Sequence, residues 1–155
     1  MIRPSTRREI DTFVAMAAAT KMFKPAEVDA LREVYDDFFD GNSEFGHHCL
    51  TLLEDNKVAG FAYFGPDNIA NGAWELWWIV VDQSLQGQGR GGKLLAVSEK
   101  IARDSGARLM FIDTSSLPQY EPTRKFYLKH GYEKEAELRD YYAPGDSKVI
   151  YRKVL

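Results

Sequence analysis

Between Val80 and Leu95 the chain reads VVDQSLQGQGRGGKLL: the end of an apolar run, a polar turn, four glycines in six residues, then an apolar helical face. Glycine lets the main chain come close to a ligand. Amides that open a helix converge on one point and are helped by the helix dipole, so such a stretch suits an anion, above all a phosphate. Three letter patterns fit it. Gly87-Gln88-Gly89-Arg90-Gly91-Gly92 satisfies the dinucleotide fingerprint GxGxxG. That fingerprint wants its first glycine directly at the end of a strand in a largely parallel sheet. Here Gln83 to Gln86 intervene, and the preceding strands read as antiparallel hairpins. Gly87 to Lys93 also spells the GxxxxGK of a P-loop, but Leu94 stands where a magnesium-holding hydroxyl is needed. The third pattern is Gln86-x-x-Gly89-x-Gly91, after a buried strand and before an amphipathic helix. A plain turn that binds nothing is the bland reading, at a high entropic cost for so many glycines.

These residues need elements to hold them. Met1 to Pro4 reads as a short strand and Arg7 to Thr20 as a helix. Pro25 opens a second helix with Val28, Leu31, Tyr35, Phe38 and Phe39 on one stripe, closed by Gly41. HHCLTLLE and VAGFAYFG form a hairpin around Asp55-Asn56-Lys57. AWELWWIVVD, from Ala73, is nearly all apolar and predicts a strand buried on both faces. The helix after the glycines carries Leu94, Val97, Ile101 and Ala102 and ends at Gly106. RLMFIDTS is another strand, Pro122 to His130 a short helix, and YEKEAELRDYY with SKVIYRKVL a last hairpin around APGD. The order β-α-α-β-β-β-α-β-α-β-β predicts one domain over residues 1–155, an α/β fold with a mixed sheet flanked by helices.

With the third glycine pattern in that setting, the chain resembles the GCN5-related N-acetyltransferase family. EPTRKFYLKHGY, from Glu121, is similar to the family's second cofactor motif, and IRPST to its first strand. The resemblance implies a single-domain, mostly antiparallel central sheet, acetyl-CoA as cosubstrate, no metal, and transfer to an amine. It assigns the coenzyme to the backbone of Ile79, Val80 and Val81 and to the loop Gln86, Gly87, Gln88, Gly89, Arg90, Gly91 and Gly92. Arg90 and Lys93 add positive charge there. It makes Tyr127, of the FY pair, both a coenzyme contact and the acid that protonates the leaving thiolate. Tyr120 departs from the many relatives that have Asn at that position, which puts a polar contact to the coenzyme there in doubt.

Glu75 is the candidate base. It is the one acid within the run AWELWWIVV, and a carboxylate among Trp74, Trp77 and Trp78 is poorly hydrated, which raises its pKa toward a useful range. An outward-pointing or salt-bridged glutamate is the rival reading. Phe38, Phe39, Phe45, Trp77, Tyr141 and Tyr142 come from regions that enclose the acceptor in the family, with Tyr141 and Tyr142 the better pocket candidates. Asp113 and Thr114 border the same region. His47 and His48 face opposite ways at a strand start and read as packing or surface residues. Cys49 lies on an earlier strand without a partner base, so no nucleophilic role is expected of it.

The bulk properties narrow the class. The net charge of −3 and the lack of a Lys/Arg run disfavour a nucleic-acid partner. A single cysteine excludes a disulfide framework and fits a reducing compartment. Glu9 and Asp11 break the one stretch that looks like a signal peptide, and no run approaches a membrane span, so a cytoplasmic protein is expected. The expected acceptor is a small or amino-acid-like amine, with a homodimer left open. The rival functions are a coenzyme A-binding regulatory module without turnover, an acetyltransferase acting on protein or charged tRNA, and a dinucleotide oxidoreductase.

Overall fold

A computed structural model describes the backbone of residues 1–155 and every side chain except that of Asn42. The elements follow the order read from the sequence: β1 (Ile2–Pro4), α1 (Ile10–Ala19), α2 (Pro25–Asp40), β2 (His48–Glu54), β3 (Lys57–Pro66), β4 (Ala73–Val81), α3 (Arg90–Asp104), β5 (Leu109–Ser115), α4 (Glu121–Lys129), β6 (Glu133–Ala143) and β7 (Asp146–Val154). The strands form one sheet in the order β1-β2-β3-β4-β5-β7-β6. Only the β4–β5 pair is parallel.

Alternation along β3 sends side chains to two cores, as a period of two requires. Phe61 and Tyr63 pack with Phe13 of α1 and with Leu31 and Tyr35 of α2. Ala62 and Phe64 face the other way, toward Leu94 and Leu95 of α3 and Met110 of β5. Each helix lays one apolar stripe on the sheet; α1 buries Ile10, Phe13, Met16 and Ala17. Among the described residues no helix is long and apolar enough to cross a membrane.

Three local readings are corrected. The first helix does not start at Arg7. A 3-10 turn spans Arg7–Glu9, and α1 begins at Ile10. The reason is Glu9, whose carboxylate turns back to accept the Thr6 N–H at 2.8 Å, the Arg3 guanidinium at 2.6 Å and Thr51 Oγ1 at 2.9 Å. The β2–β3 turn has two residues rather than three, because Asp55 and Asn56 take φ of 50° and 61°. Both are left-handed, the geometry that matches the twist of a tight hairpin. The third correction is β4, which is not buried on both faces: Trp77 is 40% exposed.

Burial pushes the Glu9 carboxyl up, but the bonds from Arg3, Thr6 and Thr51 outweigh it and hold the group below its ordinary value. A depressed folded pKa means stability that is present above the unfolded pKa and lost as pH falls through the folded one. Glu9→Gln is therefore expected to destabilise the fold at neutral pH by about 1–3 kcal/mol. In urea titrations the gap between variant and wild type should close progressively below about pH 4.

Candidate active site

The site begins where the sheet comes apart. β4 stays paired with β3 along its length to Val81, but pairs with β5 only at Ala73–Glu75 against Leu109–Phe111. A bulge marks the departure: Leu76 faces Phe64 and Trp78 faces Tyr63, so Trp77 is the extra residue. Such a bulge bends the strand and increases its twist. Beyond Glu75 the edge of β4 has no partner strand, and two cavities succeed each other along it.

The first cavity, of about 450 Å³, lies between β4, the glycine loop and α4. Ile79 and Val81 line it, as do Gln86, Gly87, Gly89 and Gly91. Gly87 and Gly89 have φ of +78° and +82°, and no atom lies within 4 Å of where their Cβ would be. Their absence of side chain therefore serves backbone conformation and open space. Gly91 and Gly92 serve packing instead. A Cβ on Gly91 would meet the Phe126 ring at 3.3 Å, and one on Gly92 would meet the His130 ring at 2.7 Å. The first turn of α3 can thus carry its free amides into the cavity with α4 laid directly against it.

The sequence-predicted loop residues divide. Gln86 Nε2 donates to the Val81 carbonyl at 3.1 Å, which ties the loop to β4 and occupies that oxygen. Gln88 Oε1 accepts from Arg90 Nη1 at 2.6 Å. The Arg90 guanidinium is bound by both carboxylate oxygens of Glu54, with Nη2 at 2.5 Å from Oε1. Gln88 and Lys93 line a neighbouring hollow beside β1 and β2, whereas Arg90 lines both that hollow and the first cavity, and Gly92 lines the first cavity. The Val80 side chain is buried in the core under α1 and α2, which leaves only its backbone on the cavity side.

Tyr127 lines the first cavity and is 5% exposed. Phe126, Tyr132 and Tyr151 surround its ring at 5.5, 5.9 and 5.8 Å. Burial, and then Tyr151, raise its pKa well above that of a free phenol, so it carries its proton throughout the physiological range.

The second cavity, of about 480 Å³, lies at the fork itself and holds Glu75, Trp77, Trp78 and Tyr142, with Asp113 and Thr114 from β5. Burial raises the Glu75 pKa, Asp113 adds to the rise, and Trp77 and Lys148 oppose it. Lys148 Nζ stands 3.2 Å from Asp113 Oδ2. Tyr120, the departure from the family pattern, hydrogen-bonds the Met22 carbonyl and so fastens the α1–α2 connection to the segment before α4.

Other expected wall residues lie elsewhere. Phe38 and Phe39 pack at the edge of the α1–α2 core, and Phe45 is 59% exposed. Tyr141 turns outward, with Lys148 4.6 Å from its ring centroid. His48 stacks on Phe64 and Trp74, whereas His47 contacts Tyr63 and Trp77 on the opposite face. Burial pushes the Cys49 thiol up to about 12, which removes it as a thiolate. Sequence reasoning missed Phe23, Glu27 and Asp146 in the second cavity, and Phe126 and His130 as the partners of the glycines. A signal for the last two existed: Gly91 and Gly92 sit inside a helix, where glycine is unfavourable without a close neighbour.

Solved structures repeat this architecture. A proposed acetyltransferase of the GNAT family from Desulfovibrio desulfuricans is 34% identical and superposes with a TM-score of 0.94, over 99% of this chain and 98% of that one. An aminoglycoside 6'-N-acetyltransferase complexed with coenzyme A shares the fold at 18% identity and TM-score 0.81, over 99% and 96% of the two chains. The PaiA N-acetyltransferase from Thermoplasma acidophilum, in complex with coenzyme A, shares it at 21% and 0.76, over 100% and 98%. No curated protein matches the sequence. The model of the acetyltransferase (GNAT) family matches residues 13–132, which hold β2 to β5 with α3 and α4, and the chain belongs to that family.

Proposed function

We propose that the protein moves the acetyl group of acetyl-CoA to a primary amine of a small-molecule acceptor, by direct attack in a ternary complex. The observation that carries this reading is the pair of cavities along β4. One is bordered by helix-opening amides and Tyr127, the other by a half-buried Glu75.

In this reading the diphosphate of the coenzyme lies at the start of α3, where the amides after Gly89 are free. The pantetheine amides pair with the open edge of β4, and the same edge offers an N–H to the tetrahedral oxyanion. Glu75 takes a proton from the acceptor ammonium, directly or through water, and so supplies the neutral amine. Attack on the thioester carbon forms the C–N bond. Collapse breaks the C–S bond, and Tyr127 gives its proton to the departing sulfur. No covalent enzyme intermediate is needed, which agrees with the inert state of Cys49.

A thiol-release assay with acetyl-CoA and a panel of amines tests the whole reading. Amine-dependent release is expected. Tight coenzyme A binding without release from any amine would leave a binding module and overturn it. Tyr127→Phe should lower kcat by about a hundredfold to ten-thousandfold, the range of general acid catalysis, with little change in KM for acetyl-CoA. The kcat/KM profile should fall toward acid with a midpoint above the usual carboxylate value of about 4.3, because Glu75 acts deprotonated and its pKa is raised. Asp113→Asn removes a like charge, so that midpoint should move to lower pH; an unmoved limb would take the base role from Glu75. Gly92→Ala should weaken coenzyme A binding and lower Tm through its collision with His130. The double variant with His130→Ala should recover both, since alanine is then free to add helix propensity of about 1 kcal/mol.

A further inference from the structure

The floor of the second cavity carries carboxylates at its two ends. Phe111, Asp113 and Ser115 alternate along one face of β5 and all line the cavity. Glu75 pairs with Phe111 at one end. Asp146, the first residue of β7, accepts a hydrogen bond from Ser115 Oγ at 2.5 Å at the other. Between them, Asp113 is balanced by Lys148. Phe111 and Ser115 are four residues apart, so the two ends lie roughly 13 Å apart along the strand.

Asp146 stands out because it is only 6% exposed and yet half satisfied. Its Oδ1 is held by Ser115, while its Oδ2 takes no hydrogen bond from any described residue and no Lys or Arg stands within ion-pair distance. Among the described residues the one sealed polar side-chain atom without a partner is Tyr132 Oη, so Asp146 Oδ2 is open to the cavity it lines. A carboxylate this buried is costly without a cationic or hydrogen-bonding partner. Tyr120 and Tyr142 line the same cavity, and both lie near enough to Asp146 for its charge to act on their phenols; aromatic rings beside a carboxylate can help hold a cation. The positive charges on the lining, Lys21 and Lys24, are both exposed. Glu27, at the same rim, spends one oxygen on the Lys24 N–H at 3.1 Å.

We propose that the acceptor is a dication: the amine to be acetylated lies beside Glu75 and a second ammonium docks on Asp146 between Tyr120 and Tyr142. This rests on the acetyl-transfer reading above and narrows its acceptor. The spacing suits α,ω-diamines with about four to nine methylene groups, whose nitrogens reach both ends of a ~13 Å floor once each stands off its carboxylate by a hydrogen-bond length. It disfavours amino acids, whose own carboxylate would meet Asp146.

The test is calorimetric titration of the protein loaded with coenzyme A, which has no acetyl group to transfer. The ligands are straight-chain diamines across that range, with the monoamine and the ω-amino acid of matching length. The best diamine is expected to bind at least about tenfold tighter than either, the size of one charge-assisted hydrogen bond in a partly enclosed site. Asp146→Asn, which can keep the Ser115 bond, should erase the difference. Equal affinities, tighter binding of the amino acid, no binding of any diamine, or a gap that survives Asp146→Asn would each overturn the proposal. The wild-type comparison decides the matter even if the variant folds poorly. Because nothing turns over in this experiment, its result is separate from that of the thiol-release assay.

Discussion

The molecule is organised around a break in its own hydrogen bonding. β4 and β5 are parallel neighbours that hold each other for three residue pairs and then part. An open strand edge inside a sheet is expensive unless water or a ligand reaches it, since a buried backbone group left unpaired costs about 1–3 kcal/mol. Here the bulge at Trp77 turns β4 away, and α3 and α4 close behind the gap with Gly91 and Gly92 against Phe126 and His130. The zipper cannot shut without moving two helices. What the sheet gives up in pairing becomes a row of backbone donors and acceptors held rigidly in place, which suits a ligand that is itself a chain of amides.

The treatment of charge follows the same division. Carboxylates that serve the fold have cationic partners: Glu9 with Arg3, Glu99 with Lys153, Glu54 with Arg90. The Glu99–Lys153 pair is nearly buried and also takes in the His130 carbonyl, so it fastens β7 to the end of α4. In the second cavity the pattern changes. Asp113 has Lys148, but neither Glu75 nor Asp146 has a cation within 4 Å among the described residues. Glu75 and Asp146 thus stand without the cationic partners that the structural acids and Asp113 have. A structural ion pair at Glu75 would have pulled its pKa down; burial and Asp113 push it up.

Much of this was legible in the letters. Periodicity and turn residues gave the element order because those signals are local: Pro25 at a helix start, Asp55-Asn56 in a tight turn. Two motifs at compatible spacing pointed to the family, since close approach of backbone to a phosphate leaves few options but glycine. What could not be read was long-range. AWELWWIVV looks like a doubly buried strand because apolar residues lining an open cavity and apolar residues in a core have the same composition. Glu9 draws its partners from Arg3 and from Thr51, forty-two residues away, so its interruption of the first helix carries no local mark. Asp146 reads as the end of a polar turn, and only the pairing of β7 beside β5 brings it to Ser115. Tyr120 in place of Asn is visible as a substitution, but its reach to Met22 across ninety-eight residues is not.

If Tyr127 is the acid of the proposed reaction, its raised phenol poses a problem of acid strength that burial itself would resolve. Free phenol is weaker than a free thiol by about 1.5 pKa units, so full transfer of its proton to a thiolate is uphill by about 2 kcal/mol. Burial does not enlarge that gap in proportion to the shift, because it penalises every anion in the same place. Cys49 shows the scale, its thiol pushed up to about 12 by burial in this same chain. A thiolate leaving beside Tyr127 in that reaction would be equally starved of water and correspondingly more basic. Charge is conserved as the proton moves from oxygen to sulfur, so most of the desolvation cost cancels. The remaining deficit is small beside the gain of removing the thiolate, which would otherwise return to the carbonyl carbon. The overall reaction also supplies a proton, because the attacking nitrogen sheds one as the amide forms. In the proposed reaction Tyr127 would therefore act as a relay refilled in the same cycle; what that role asks of the fold is a protonated phenol held in place, and burial among Phe126, Tyr132 and Tyr151 keeps the ring fixed.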